Sequence, residues 1–192
     1  MASLKFFISL AMTSLFFSGS HADSALIDGI CKRSQDYNFC STSLNNDPRS
    51  ANADLKGLCL ISISITIMQI QSTLDRIPGI LGSLTDPLGK QRLGACQNDY
   101  STSLGSFQNS FTSASAHDYW KTFDSVKDGT NHVIDCHNSY RTGGPIATSP
   151  IDVDDNNVIK LSEIILIIVD DLLKGSAASA LLKSPVYLPV HR

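Results

Sequence analysis

The sequence predicts an all-α protein, an up-down-up-down four-helix bundle preceded by a disulfide-stapled N-terminal helical hairpin. Three observations favour this fold. Apolar residues recur at steps of three and four in several long segments, as they do on one face of an α-helix. Short connections separate these segments, which favours antiparallel neighbours in a bundle. The five cysteines are placed so that disulfides can tie helices together in pairs.

Residues 1–22 have the features of a secretory signal peptide. Lys5 precedes an apolar run at 6–17, and small residues at Ser20 and Ala22 suit a cleavage site. The run is far shorter than the roughly 20 apolar residues that span a bilayer, so we expect cleavage after Ala22 and secretion, not a membrane anchor. Loss of Lys5 leaves 14 Lys and Arg against 18 Asp and Glu, and the bases do not cluster. Nucleic acid is therefore not an expected partner.

Two short helical segments, 25–33 and 35–44, predict the N-terminal hairpin. Each carries one cysteine, and locality favours a bond between Cys31 and Cys40, although five cysteines do not fix the connectivity. Cys59 follows in an apolar run, so we expect it to be a free, buried thiol.

The first bundle helix is predicted at 51–82, although its pattern is ambiguous. Within 61–67, isoleucine alternates with serine or threonine, which is typical of a half-buried strand. The length of the segment, cap candidates at Asn52 and Asp54, and the lack of a partner strand favour a helix. Pro78 is expected to kink or end it.

The central helices are predicted at 86–112 and 116–141. Both carry one apolar face, and the segment between them supplies the turn of an antiparallel hairpin. Ser115 and Asp118 have the approximate spacing of a capping box, so we expect Ser115 to cap the second of the two helices.

Cys96 and Cys136 lie at equal distances along the chain from residue 116, the predicted turn. The two thiols then lie at the same height, which favours a disulfide worth roughly 4 kcal/mol in the chain-entropy model. Zinc binding is the competing use, because His132 and Cys136 are four residues apart on one helix. A structural site needs four ligands, so we expect no metal.

The fourth bundle helix is predicted at 153–174 from an almost continuous apolar pattern. Asp170 and Asp171 are adjacent, and neighbouring helical residues do not face each other, so we expect a solvated edge and not an acid pair. Residues 175–192 are expected to form a loosely ordered tail. The domain is thus predicted at 23–174.

Catalysis is not expected. The sequence contains no GxSxG, phosphate-binding or EF-hand motif, and no motif surrounds its histidines. We expect no catalytic residue and no cofactor. A small-ligand or lipid-binding bundle is an alternative function, although the common plant lipid carriers have eight cysteines.

Several segments carry a recognisable pattern. They are Cys31 and Cys40 nine apart, DPRSANADLKGL at 47–58, DPLGKQRLGACQNDYSTSL at 86–104, and Cys136 before a loop and an apolar helix. Together they resemble the plant invertase and pectin methylesterase inhibitor family, in particular its branch with the plane-tree pollen allergens described as invertase inhibitors. The similarity covers the mature chain to about Lys174.

The chain departs from the family pattern at three places. Cys59 stands where glycine is common, Pro78 interrupts a usually continuous helix, and the tail after Lys174 is longer than expected. None of these touches the four paired cysteines.

The resemblance implies disulfides Cys31–Cys40 and Cys96–Cys136, and reversible inhibition of a plant enzyme by a complex that covers its active site. Pectin methylesterase is slightly favoured as the target, on the match at 47–58, and invertase comes next. The apoplast is the expected location, with the vacuole as the alternative. The mature chain carries 17 aspartates, and acidic cell walls bring exposed carboxyls close to their ordinary pKa, so we expect a pH-dependent complex.

Overall fold

The structure is a computed structural model that describes residues 22–183, with side chains described for residues 24–176. Of the predicted signal peptide, only Ala22 falls within it. The described chain contains six α-helices, one short 3₁₀ helix and no strand. They are α1 (Ala22–Cys31), α2 (Tyr37–Asn45), the 3₁₀ helix (Pro48–Asn52), α3 (Leu55–Ser83), α4 (Pro87–Ser115), α5 (Tyr119–Ser139) and α6 (Asp152–Lys183).

Helices α3 to α6 form the bundle. Each packs on its two neighbours, in the order α3–α4–α5–α6 and back to α3. The core between them contains large, fully buried side chains from all four helices, among them Ile70, Tyr100, Phe107, Val133 and Ile165. The predicted four-helix bundle is confirmed.

The ambiguous segment 61–67 is helical. Asp54 is the N-cap of α3 and accepts a hydrogen bond from the Gly57 amide at 2.8 Å. The hydroxyls of Ser62, Ser64 and Thr66 each donate to the carbonyl four residues earlier, so the alternating polar residues are satisfied inside the helix. By length and composition alone, α3 is long and apolar enough to cross a membrane. The core helix of a helical bundle meets the same criterion, and α3 is such a helix.

Pro78 was expected to kink or end the first bundle helix. The expectation that it ends the helix is wrong, because α3 continues through Pro78 to Ser83. Proline removes one helical hydrogen bond, the one to the Leu74 carbonyl. Pro78 lies on the exposed side of the last turns, where water can replace the lost donor.

The turn between α4 and α5 lies three residues later than predicted, at 116–118 and not at 113–115. Ser115 is the last residue of α4 and its hydroxyl donates to the Phe111 carbonyl, so it does not cap α5. Asp118 is itself the N-cap, and it accepts from the Lys121 amide at 3.1 Å. His117, with φ of 61°, reverses the chain.

The N-terminal hairpin packs against α6 between Lys160 and Asp171. The Cys31–Cys40 disulfide joins α1 and α2 with a Cα–Cα distance of 5.4 Å. Polar contacts to α6 hold the hairpin: Lys160 donates to Asp36 at 2.8 Å, and Arg33 pairs with Asp171. Asp171 is therefore an ion-pair partner of this hairpin.

α6 is longer than the predicted helix 153–174, because it continues to Lys183. The first nine residues of the predicted loose tail are thus helical, and residues 184–192 lie outside the described part of the chain. Asp170 pairs with Lys174 one turn later, on the polar edge of α6.

Candidate functional site

Helix α4 separates a buried apolar side from an exposed uncharged one. Its core side includes Leu93, Cys96, Tyr100 and Phe107. Its outward side, which we call the α4 face, consists of Gln91, Ala95, Asn98, Ser101, Thr102, Gln108, Asn109, Phe111 and Thr112, all of them exposed. At 1.5 Å per residue, this face is about 32 Å long.

The α4 face offers hydrogen-bonding groups that the helix itself does not consume. Ser101, Thr102 and Thr112 donate to carbonyls four residues earlier and keep oxygen lone pairs for a partner. The side-chain amides of Asn98, Gln108 and Asn109 make no hydrogen bond within the described chain. The face can therefore donate and accept along its whole length.

Asp99 is the only acidic or basic residue between Arg92 and Asp118, histidine aside. It lies at the α4–α5 edge, with the imidazole of His132 at 3.9 Å. Burial raises the pKa of the Asp99 carboxyl, with a smaller contribution in the same direction from Asp135, while His132 opposes the shift. The α4 face thus carries little charge.

Helix α5 packs closely against α4 through small and polar residues. Gly129 lies against the Phe107 ring, and the Ser106 hydroxyl donates to Asp128 at 2.6 Å. The disulfide Cys96–Cys136, with a Cα–Cα distance of 4.6 Å, fixes the two helices toward their other ends. The α4 face therefore stands on a rigid hairpin.

An exposed aromatic residue stands near the α4–α5 turn. Trp120, the only tryptophan of the chain, is 67% exposed and meets the Phe123 ring edge-on at a centroid distance of 6.4 Å. The ammonium group of Lys127 lies 5.4 Å from the centre of the Phe123 ring. Phe111, at the end of the α4 face, is also exposed.

The residues singled out from the sequence are structural. The structure contains the bonds Cys31–Cys40 and Cys96–Cys136, and Cys59 is free and buried. Burial raises the pKa of the Cys59 thiol to about 12, which leaves it protonated and unreactive. Sequence reasoning missed the α4 face. The feature of the sequence that could have indicated this face is the long amphipathic stretch 93–117, which contains a single carboxylate.

The histidines are not arranged for nucleophilic catalysis or for metal binding. His132 faces Asp99, and His137 faces Asp152 at 3.2 Å. No serine or threonine hydroxyl bonds to a histidine within residues 24–176. The same residues contain no cluster of three or more His, Cys, Asp or Glu side chains suited to a metal ion, and Cys136 is held in its disulfide.

The described chain is thus a helical bundle tied by two disulfides, with one long uncharged face on α4. Its family is shown by sequence. The pattern of the plant invertase/pectin methylesterase inhibitor family matches residues 25–168, and the chain belongs to that family. The predicted resemblance is confirmed, and so is the absence of enzymatic function, since the family comprises inhibitors.

Relatives cover most of the chain. Pectinesterase inhibitor 5 of Arabidopsis thaliana is 35% identical over 148 residues, which are 77% of this chain and 83% of the relative. The pectinesterase inhibitor of Actinidia deliciosa is 31% identical over 180 residues, 91% of this chain and 96% of the relative. A Platanus orientalis protein named as an invertase inhibitor is 29% identical over 149 residues, 74% of this chain and 87% of the relative.

Solved structures share the fold. The crystal structure of a mutant form of a pectin methylesterase inhibitor from Arabidopsis matches with a TM-score of 0.66 and 20% identity, covering 79% of this chain and 97% of that one.

Proposed function

We propose that this chain is a secreted inhibitor of pectin methylesterase, and that the α4 face covers the substrate cleft of the enzyme in a reversible complex. The observation that carries the proposal is the α4 face itself, which is long, uncharged and rich in free amides. The two relatives named as pectinesterase inhibitors, at 35% and 31% identity over most of their length, support this choice of target. The extracellular apoplast is the proposed location.

The chemistry of the face suits a cleft that binds a sugar polymer. Such a cleft is elongated and presents groups that bond to sugar hydroxyls. Amides and hydroxyls on a straight helix offer the same donors and acceptors. Because neutral hydrogen bonds contribute modestly once solvent is displaced, the resulting complex is reversible.

The α4 face alone is too small for a stable complex. A helix is about 10 Å wide with its side chains, so a 32 Å stretch projects roughly 300 Å². A standard interface buries about 800 Å² per partner. Flanking residues must therefore contribute, and the exposed residues of α5 beside Asp128 are the nearest.

Invertase is the second candidate target. The Arabidopsis thaliana protein named cell wall / vacuolar inhibitor of fructosidase 2 is 33% identical over 108 residues, 53% of this chain and 60% of the relative. The bundle end beside the α5–α6 loop presents Ile146, 81% exposed, and Val153, 71% exposed. A narrow apolar tip of this kind suits a funnel-shaped active site better than an elongated cleft. With this target, vacuolar location becomes the alternative.

The small-ligand or lipid carrier is less well supported. A carrier needs an enclosed apolar cavity. The interior of this bundle is instead occupied by fully buried side chains such as Tyr100 and Phe107.

The test assays the purified mature chain against a pectin methylesterase and an invertase between pH 4 and 7. Asn98→Lys and Thr102→Lys each place a charge on the α4 face, and each should weaken inhibition at least tenfold. Ser72→Lys, at an exposed position of α3, is the matched control and should inhibit like the wild type. Melting temperatures establish that all three variants fold.

Two results would refute parts of the proposal. Full inhibition by both α4 variants would show that another surface meets the enzyme. Inhibition of invertase alone by the wild type would replace the target.

A further inference from the structure

An apolar groove lies along the outside of α6, between α5 and the N-terminal hairpin. This α5–α6 groove has a volume of about 490 Å³, and its lining includes Leu166 and Ile167 of α6, Thr130 of α5 and Arg33 of the hairpin. Leu166 and Ile167 pack against the core but are only half-buried. The described chain thus leaves part of their apolar surface uncovered, and burying it would be favourable.

Aromatic side chains of α5 extend the groove toward the end of α6. Phe123 lies about two helical turns before Thr130 and therefore on the same side of α5. Trp120 meets the Phe123 ring edge-on and is 67% exposed. Its neighbour Tyr119 lines one cavity together with Leu172 of α6. Trp120 therefore stands about level with Leu172, between the groove and the end of α6.

The sequence that follows α6 has the composition of a segment that packs on an apolar surface. Residues 184–192 read SPVYLPVHR. Successive side chains of an extended chain alternate, so Val186, Leu188 and Val190 share one side. The two prolines restrict the backbone, which reduces the conformational entropy that docking costs.

The segment is long enough to fold back into the groove. α6 ends at Lys183, and the helix between Ile167 and Lys183 spans about 24 Å. Nine extended residues cover up to about 30 Å, and two of them used for the chain reversal leave about 23 Å. Arg192 then comes level with Ile167. Val190, two residues earlier, comes level with Leu172.

Charges at the groove match those at the end of the segment. Glu163 and Asp170 also line the groove. Glu163 accepts the Gln35 amide at 3.1 Å and makes no ion pair within residues 24–176. It lies about one helical turn beyond Ile167, within the length of an arginine side chain from Arg192. The basic end of the segment and the acidic wall of the groove are therefore complementary.

A second cavity, of about 380 Å³, also opens near the end of α6, but its charges suit the segment less well. It lies between α3, α5 and α6, and its lining includes Lys56 and His117. Its acidic residue, Asp171, is already paired with Arg33. Lys56 would repel Arg192 there, so the α5–α6 groove is the better match.

We propose that residues 184–192 fold back along α6 and occupy the α5–α6 groove of their own chain. Val190 then packs against Trp120, and Arg192 lies beside Glu163. The segment covers apolar surface that the described chain leaves exposed. These residues are thus an ordered part of the bundle, and not the loose tail expected from the sequence.

Acrylamide quenching of tryptophan fluorescence tests the docking, because Trp120 is the only tryptophan of the chain. Val190→Asp in the full mature chain places a charge against the indole and near the acidic wall, so the segment should leave the groove. The quenching constant should then rise about twofold, since covering about half of the indole halves the access of the quencher. Ser184→Asp adds the same charge at the start of the segment. It is the matched control and should quench like the wild type.

A second measurement locates the segment. The methyl resonances of Ile167 should differ between the wild type and Val190→Asp, whereas the methyl resonance of Met68, exposed on α3, should not. Equal quenching in the wild type and Val190→Asp would overturn the proposal, as would an unchanged Ile167 signal. Protection of Trp120 that grows with protein concentration would also overturn it, because the segment would then occupy the groove of a second copy. None of these readouts involves an enzyme, so their failure leaves the proposed target untouched.

Discussion

Gly129 is required by the close packing of α5 on α4, and its replacement by alanine should destabilise the bundle. A Cβ at this position would lie 2.7 Å from Cε2 and 2.8 Å from Cδ2 of Phe107, and 3.2 Å from Cβ of Ser106. Phe107 is fully buried, so its ring cannot swing into solvent. The helices must move apart, or the ring must leave its preferred rotamer.

The expected magnitude is the difference between two opposing effects. Overpacking a buried site costs about 1–3 kcal/mol. Alanine in a helix interior is favoured over glycine by about 1 kcal/mol. Two contacts under 3.0 Å with a buried ring place the cost in the upper half of that range, about 2–3 kcal/mol, so Gly129→Ala should lower the free energy of unfolding by about 1–2 kcal/mol. Gly105→Ala is the matched control on α4, because a Cβ there meets nothing within 4 Å, and it should stabilise by up to about 1 kcal/mol.

Urea unfolding followed by circular dichroism at 222 nm measures both variants under one condition. The midpoint should fall for Gly129→Ala and rise for Gly105→Ala, with an unchanged dependence on urea concentration. If Gly129→Ala were as stable as the wild type, the tight α4–α5 approach would be wrong. If Gly105→Ala were equally destabilised, the assumption that alanine gains about 1 kcal/mol of helix propensity over glycine would be wrong.

Two further predictions concern the cysteines. Replacing Cys96 and Cys136 by alanine should lower the free energy of unfolding by about 4 kcal/mol, because this disulfide closes a 40-residue loop. The same change at Cys31 and Cys40, which are nine residues apart, should lower it by about 2.5 kcal/mol. Urea unfolding measures both double variants, and the opposite order of the two losses would contradict the prediction. The Cys59 thiol is buried and its pKa is raised to about 12, so a thiol reagent at pH 8 should find no reactive group in the native protein and one after denaturation. Rapid labelling of the native protein would contradict its burial.

Apolar periodicity predicted most of the fold. It placed the four bundle helices, because burial of one face is what stabilises a helix in a bundle. The strand-like alternation at 61–67 was resolved correctly only by its context. The alternation itself has a local explanation, since hydroxyls that bond back to their own helix can lie on any side of it.

The ends of the helices were less predictable. Ser115 carries a signal for a helix start, yet it is the last residue of α4, and Pro78 carries a signal for a helix end, yet it lies inside α3. An N-cap signal of about 1 kcal/mol and an interior proline that costs about 3 kcal/mol are both overridden when the neighbouring turns gain contacts in the core. α6 likewise continues past its expected end at residue 174.

The functional surfaces could not be derived from periodicity. A helical pattern identifies the buried side of α4 but not which exposed side binds a partner. The burial of Asp155 is still harder to predict, because it follows Asp152 and Asp154 in a run that is typical of a solvated helix start. Only the three-dimensional structure places its side chain against Tyr100 and His137 in the core.

The structure also narrows the expected pH dependence of the inhibitory complex. Ion pairs and hydrogen bonds hold the pKa of three carboxyls below its ordinary value: those of Asp28, Asp36 and Asp47, paired with Lys32, Lys160 and Arg49. On the α4–α5 edge the shift is opposite, since burial raises the pKa of Asp99.

Asp99 should make the inhibitory complex weaker as the pH rises. Its carboxyl is partly buried already, and an enzyme that covers the α4 face would remove it further from water, which penalises the charged form. If the enzyme offers no cation there, the dissociation constant should increase by up to about tenfold between pH 4.5 and 7.5. Asp99→Asn should reduce this increase at least threefold, whereas Asp75→Asn, at an exposed position of α3, should preserve it. Dissociation constants of the three proteins, measured at both pH values and at low and high salt, provide the test. An unchanged increase in Asp99→Asn would place Asp99 outside the interface, and with it the neighbouring part of the α4 face.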